Sequence, residues 1–164
     1  MTKVYLGLGS NVGDKLINIK KAINHIKKTL KFKKISPIYK TEPVGYKKQD
    51  WFLNCAIIIE TRKNPVELLD FLKNAEKIIG RKKTRKNGPR IIDLDIIFYG
   101  KISLGRKNLK IPHEKMQERM FVLAPLKEIC PRRMHPLLGK TISKLKKELE
   151  RKNRSKVFRT GLVY

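Results

Sequence analysis

The sequence predicts an α+β fold in which an antiparallel sheet, laid down in the order β-α-β-β-α-β, carries packed helices and is followed by extra C-terminal helices. Three observations carry this. Apolar runs of strand length alternate with segments whose apolar residues recur every three or four positions. Pro, Gly and Asn cluster at most of the boundaries between them. A 40% apolar content excludes a wholly disordered chain, and 164 residues suit one domain spanning 1–164.

The elements follow in order. Lys3 to Leu8 reads as a strand, with Gly9-Ser10-Asn11-Val12-Gly13-Asp14 as the turn after it. Leu16, Ile19, Ile23, Ile26 and Leu30, spaced by three, four, three and four, mark a helix that Asp14 can cap. Phe32 to Thr41 reads as a second strand, bent or at an edge because of Pro37. Glu42 to Asp50 is a loop, and Phe52 to Thr61 a strand. Asn64-Pro65 supplies an N-cap and a proline at the first helical position, Val66, Leu69, Leu72, Ala75 and Ile79 form the apolar stripe, and Gly80 ends the helix. Arg81 to Arg90 holds six basic residues in ten and includes Gly88-Pro89, so it is a cationic loop. The strand Ile91–Tyr99 follows. Ile111-Pro112-His113 leads into a helix through Met120 and Ala124, broken near Pro125. A last amphipathic helix (Ile142, Leu145, Leu149) runs into a basic tail with Lys152, Arg154, Lys156 and Arg159. This order is the ferredoxin-like, split βαβ arrangement.

Charge raises the functional question. Forty Lys and Arg against fourteen Asp and Glu give a formal net charge of +26, which first suggests a nucleic-acid binder. Most of the lysines are spread at helical spacing among apolar residues, as on solvated helix faces, and polyphosphates also require a positive site. An RNA-binding module on the same kind of sheet would need aromatics in an RNP-type pattern. That pattern is absent, and acids on the central strand would repel phosphate, so no specific nucleic acid is expected. No apolar run approaches the ~20 residues of a membrane span, and the opening MTKVYLGLGS has no signal-peptide pattern. Cys55 and Cys130 lie in apolar surroundings, as buried free thiols of a reducing compartment would. A cytoplasmic protein without a membrane partner is expected.

Asp93-x-Asp95 is the sharpest motif. Strand residues i and i+2 face one side ~6.5–7 Å apart, so both carboxylates enter one space. On an apolar strand such a pair calls for cations, and hard Mg²⁺ suits it. The alternative is an exposed face paired with neighbouring Lys and Arg. Arg81, Arg85 and Arg90 bracket the acids, and guanidinium forks match phosphate oxygens. Gly7-Leu8-Gly9-Ser10-Asn11-Val12-Gly13 fails the dinucleotide fingerprint, because its last Gly comes four residues after the second rather than three. His113, followed by Glu114, Lys115 and Arg119, is a candidate that alone reads equally as structural. Trp51-Phe52 and Phe121 are core aromatics or, more sharply, the two sides of a flat-ligand slot.

Together these residues closely resemble the 6-hydroxymethyl-7,8-dihydropterin pyrophosphokinase family of folate biosynthesis, from about Val4 to Pro131. The landmarks are Gly9-Ser10-Asn11-Val12-Gly13-Asp14, Tyr39-x-Thr41-x-Pro43, Phe52-Leu53-Asn54, Glu76 with Gly80-Arg81, Gly88-Pro89-Arg90-x-x-Asp93-Leu94-Asp95-Ile96, and Pro112-His113-x-x-Met116-x-x-Arg119-x-Phe121. The resemblance implies transfer of pyrophosphate from ATP to the pterin hydroxymethyl oxygen with release of AMP, by in-line attack on the β-phosphorus. It implies two Mg²⁺ ions on Asp93 and Asp95, with Arg81 and Arg90 on a loop that closes over the triphosphate. Glu76, Ile96, Lys110, His113 and Arg119 match positions lining the nucleotide site. Phe52 and Phe121 match the residues that sandwich the pterin, and Asn54 with the backbone around Thr41 and Val44 those that read its edge. It leaves room for docking with other folate-pathway enzymes. Three departures stand out. Asn87 replaces a common Trp, Lys83 or Arg85 takes the place of a second loop arginine, and Lys110 and Glu114 alter the nucleotide grip.

Overall fold

The computed structural model describes residues 1–152, 155–162 and 164. Arg154 of the basic tail lies outside the described residues. Strand β1 (Thr2–Ser10) leads into helix α1 (Lys15–Thr29), whose start is fixed by the Asp14 carboxylate accepting from Ile17 N–H at 2.9 Å. Strands β2 (Lys31–Ile35) and β3 (Tyr39–Thr41) follow, then β4 (Phe52–Thr61) and helix α2 (Pro65–Ile79). Asn64 and Glu67 form a reciprocal capping box at the start of α2, and Gly80 ends it at φ 108°, where a side chain would be strained. Strand β5 (Asp93–Tyr99) precedes a hairpin of β6 (Leu104–Arg106) and β7 (Leu109–Ile111). A 3₁₀ turn at Met116–Glu118, α3 (Met120–Ile129), α4 (Ile142–Lys152) and β8 (Val157–Arg159) complete the chain.

The main sheet runs β5-β1-β4-β3-β8, with β2 pairing the other half of β4. The pairings of β1 with β4 and β5, and of β4 with β2 and β3, are all antiparallel, as the split βαβ order requires. One face of the sheet packs on α1 and α2. There Val4, Leu6 and Leu8 of β1, Ile57 and Ile59 of β4, and Leu94 and Ile96 of β5 meet Ile19, Ile23, Ile26, Leu68 and Leu72 in a dry core. The other face packs on α3 and α4 through Tyr5, Ile58, Ile97, Phe98, Leu123, Leu126 and Ile142.

Several sequence expectations change in detail. The strand expected over Phe32–Thr41 is two strands, because Pro37 cannot donate to the ladder. At the break Ser36 N–H donates to the Ala56 carbonyl, and the Ala56 N–H to Ser36 Oγ, both at 2.9 Å. The strand expected from Ile91 starts at Asp93, since Arg90 spends its N–H and C=O on Asn11. Helix α3 starts at Met120 and runs through Pro125 rather than breaking there, because its buried stripe of Val122, Leu123, Leu126 and Ile129 outweighs one missing N–H. The tail beyond α4 adds β8 to β3, with Thr160 N–H and Glu42 N–H closing the ends. Both cysteines are free and buried, and burial pushes each thiol up to about 12. Among the described residues no helix is long and apolar enough to cross a membrane.

Candidate active site

The site begins with alternation. On β1 and β5 the side chains facing α1 and α2 are large and apolar, whereas on the α3 face, past Tyr5 and Ile97, Gly7 and Gly9 lie across from Asp95 and Asp93. Gly9, expected to open the turn, is therefore strand like Gly7, and the missing side chains of the two leave room above the acids. A Cβ on Gly9 would stand 2.5 Å from Asn54 Oδ1. The result is a cavity of about 220 Å³ floored by Gly7, Gly9, Asp93 and Asp95 and walled by Phe52 and Phe121. Thr41, Val44, Asn54, Arg90 and Arg119 also line it. Asn54 donates to Thr41 Oγ1 at 2.7 Å, so the amide is held by its neighbour on β3. Arg90 lies over the Phe52 ring at 5.2 Å and Arg119 over Phe121 at 5.6 Å, so each aromatic wall carries a guanidinium.

The two acids differ sharply. Asp93 lies 2.6 Å from Arg81 Nη1 and 3.0 Å from Arg90 Nε, the latter an ion pair without hydrogen-bond alignment. Burial alone would raise its pKa, but Arg90 and Arg81 outweigh that and hold it below the usual carboxylate range. Asp95, two residues on, has no hydrogen-bond or ion-pair partner among the described residues. Burial, reinforced by the Asp93 carboxylate, pushes it up to about 7. A cation between the two would remove that penalty. No group of three or more His, Cys, Asp and Glu able to hold a metal exists among the described residues. Two carboxylates sharing Mg²⁺ with phosphate oxygens and water is its usual mode, so the donor set fits.

Beside the cavity, Lys73, Lys77, Arg81, Lys82, Lys83, Arg85, Lys86 and Arg90 surround a second cleft, with Glu76 as its one acid. Residues 81–92 hold no helix or strand, as expected for the cationic loop. Arg85 stacks on Tyr46 at 4.4 Å. Asn87, at φ 57°, sits against Gly45, so the two loops touch there. Buried Asn11 joins them: it accepts from Arg90 N–H at 2.8 Å and donates to Gln49 Oε1 and the Asp50 carbonyl at 2.9 Å each. Gln49 in turn donates to the Asn87 carbonyl at 2.7 Å.

Not every candidate reaches the cavity. Glu76 is buried behind the acids, accepting from Leu94 N–H at 2.8 Å, and it borders the cationic cleft instead. Ile96 turns its side chain into the core beneath α1 and α2 and does not line the cavity. Lys110 is exposed and paired with Glu114 at 2.5 Å. His113 stands 3.5 Å from Arg119 Nη1, and burial together with Arg119 lowers its pKa, so it presents a neutral imidazole there. Sequence reasoning missed Asn11, Gln49 and Lys73 as functional candidates. The i,i+3 spacing of Lys73 and Glu76 on a helix was the one available signal.

Known proteins resemble this chain in sequence and in fold. Residues 5–131 match the model of the family described as 7,8-dihydro-6-hydroxymethylpterin-pyrophosphokinase (HPPK). The 2-amino-4-hydroxy-6-hydroxymethyldihydropteridine pyrophosphokinase of Aquifex aeolicus is 43% identical over 148 residues, covering 90% of this chain and 92% of its own length. The folic acid synthesis protein FOL1 of Dictyostelium discoideum is 42% identical over 146 residues, and the match spans 22% of that longer protein. Plasmodium falciparum HPPK-DHPS, a crystal structure with SDX-DHP, superposes with a TM-score of 0.72 at 18% identity over 90% of this chain and 43% of its own, a likeness of fold. A ferredoxin-like α+β sheet with this acid pair, and a family match over most of its length, place the chain in the 7,8-dihydro-6-hydroxymethylpterin-pyrophosphokinase family.

Proposed function

We propose that this chain transfers the terminal diphosphate of ATP to the hydroxymethyl oxygen of 6-hydroxymethyl-7,8-dihydropterin, releasing AMP. One observation carries the reading: an unpaired, partly buried carboxylate, Asp95, beside Asp93 on the floor of an aromatic-walled cavity that adjoins a cationic cleft. The pterin, flat and rich in hydrogen-bonding edges, fits between Phe52 and Phe121, with Asn54 and the main chain near Thr41 and Val44 on its edge. That places its hydroxymethyl group toward the acids. The triphosphate lies along the cleft, with Arg81 and Arg90 as the catalytic cations. The nucleoside extends toward Ile96, Lys110, His113 and Arg119.

The hydroxymethyl oxygen attacks the β-phosphorus in line, the bond from that phosphorus to the α-β bridging oxygen breaks so that AMP leaves with that oxygen, and the alcohol proton passes to solvent water. The chain's part is positioning and charge: its arginines neutralise phosphate oxygens, and its walls exclude water that would hydrolyse ATP. Two Mg²⁺ ions on Asp93 and Asp95, when bound, would offset the phosphate charge that builds up during transfer. Docking with other folate-pathway enzymes is supported by relatives in which this domain is part of a longer protein. Incubating the chain with ATP, Mg²⁺ and the pterin should yield AMP and the pterin diphosphate. Release of ADP, or no nucleotide turnover, would overturn the reading.

A further inference from the structure

Glu76 is 2% exposed and sits at the junction of helix, strand and loop. Besides the Leu94 N–H it meets two cations. Lys73 Nζ lies 2.9 and 3.1 Å from its two oxygens, and Arg81 Nη1 lies 2.6 Å from Oε1. The same Arg81 nitrogen donates to Asp93 at 2.6 Å. One arginine thus bridges two carboxylates on α2 and β5, and each of those carboxylates has a second cation beside it, Lys73 at Glu76 and Arg90 at Asp93.

The two cations differ in how they are mounted. Lys73 is one turn before Glu76 on the same helix, with regular helix on both sides. Arg81 follows the left-handed Gly80 and opens a stretch without helix or strand. Its main chain is fixed, since Arg81 N–H donates to the Glu76 carbonyl at 2.9 Å, whereas its guanidinium is held by the Glu76 and Asp93 carboxylates, both through Nη1. A buried carboxylate stripped of all its cations is strongly disfavoured, so Arg81 can leave only if another cation stays behind. At Asp93 that role falls to Arg90 and to metal. At Glu76 it falls to Lys73.

We propose that Lys73 is a positioning residue, the standing counter-ion of Glu76, whose presence releases Arg81 from the Glu76–Asp93 bridge to the phosphates of the nucleotide. This rests on the function proposed above. Without the Lys73 charge, moving Arg81 would leave Glu76 buried and unpaired, so the arginine would remain on its carboxylates. Direct phosphate binding by Lys73 would instead lose affinity whatever stands at position 76.

Steady-state kinetics with Mg·ATP and the pterin tests this in the wild type, Lys73→Gln, Lys73→Arg, and Lys73→Gln combined with Glu76→Gln. Thermal unfolding verifies that each variant is folded. Lys73→Gln should lower kcat about tenfold or more while the pterin KM stays within about twofold, and Lys73→Arg should restore kcat. In the Glu76→Gln background, Lys73→Gln should cost almost nothing further. If Glu76→Gln does not fold, the Arg81→Gln background replaces it: with no arginine to release, Lys73→Gln should again add nothing. An unchanged kcat in Lys73→Gln, a failed rescue by arginine, or an undiminished loss in either background would overturn the proposal. A wild-type chain that forms no AMP would instead overturn the function on which it rests.

Discussion

The two faces of the central sheet are built from the same strands and are each covered by two helices, yet one is solid and the other holds a cavity. Toward α1 and α2 the strands present Val4, Leu6, Leu8, Cys55, Ile57, Ile59, Leu94, Ile96 and Tyr99, which close against the helices. Toward α3 the equivalent positions of β1 and β5 carry Gly7, Gly9, Asp93 and Asp95. Register alternation puts neighbouring residues on opposite faces, so Leu94 seals one side while Asp93 and Asp95 open the other. Stability and chemistry are thus separated by one residue along the strand. The solid face supplies rigidity, and the glycines supply the space in which two carboxylates can stay close together.

This separation can be broken from either side. Asp95→Asn should lower kcat ~10³-fold or more while leaving the melting temperature undiminished, since it removes a partly buried charge that repels Asp93. Kinetics beside a thermal melt checks it, and near-normal turnover would remove Asp95 from the site. The opposite pattern is expected on the solid face. Leu72→Ala, at a fully buried side chain, should cost about 2–5 kcal/mol of unfolding free energy. Denaturant titration would measure that loss, with kcat per folded molecule nearly unchanged. Gly9→Ala is the mildest and joins the two behaviours. Its Cβ would push Asn54 from 2.5 Å and disturb the Asn54–Thr41 contact. A roughly tenfold rise in pterin KM with little change in kcat is expected, the scale of about 1–2 kcal/mol. An equal fall in kcat would tie Gly9 to the phosphate side instead.

Much of this was legible in the residues. The alternation of Leu94 and Ile96 with Asp93 and Asp95, the cap at Asn64 and the cationic loop at Arg81 to Arg90 are local patterns, and the structure keeps them. The interpretation of Gly9 as the start of the turn failed because glycine signals both bends and empty space in a strand. Ile96 was placed in the site by resemblance, and the pleat turns its side chain away. Pro125 read as a break because a sequence window shows the missing N–H but not the packing that outweighs it.

The residues alone carry the β-α-β-β-α-β order of the core elements, the carboxylate pair and the excess of cations beside it, because each depends on spacing within one element or loop. Only tertiary structure decided which cation serves which acid. Glu76 of α2 reaches the Leu94 N–H of β5, Arg81 bridges Glu76 to Asp93, and Asn11 at the end of β1 ties Arg90 to the loop of Gln49. These contacts join residues from separate elements, most of them far apart in the chain. They exist because an antiparallel sheet brings β1, β4 and β5 side by side, and no local pattern carries that information.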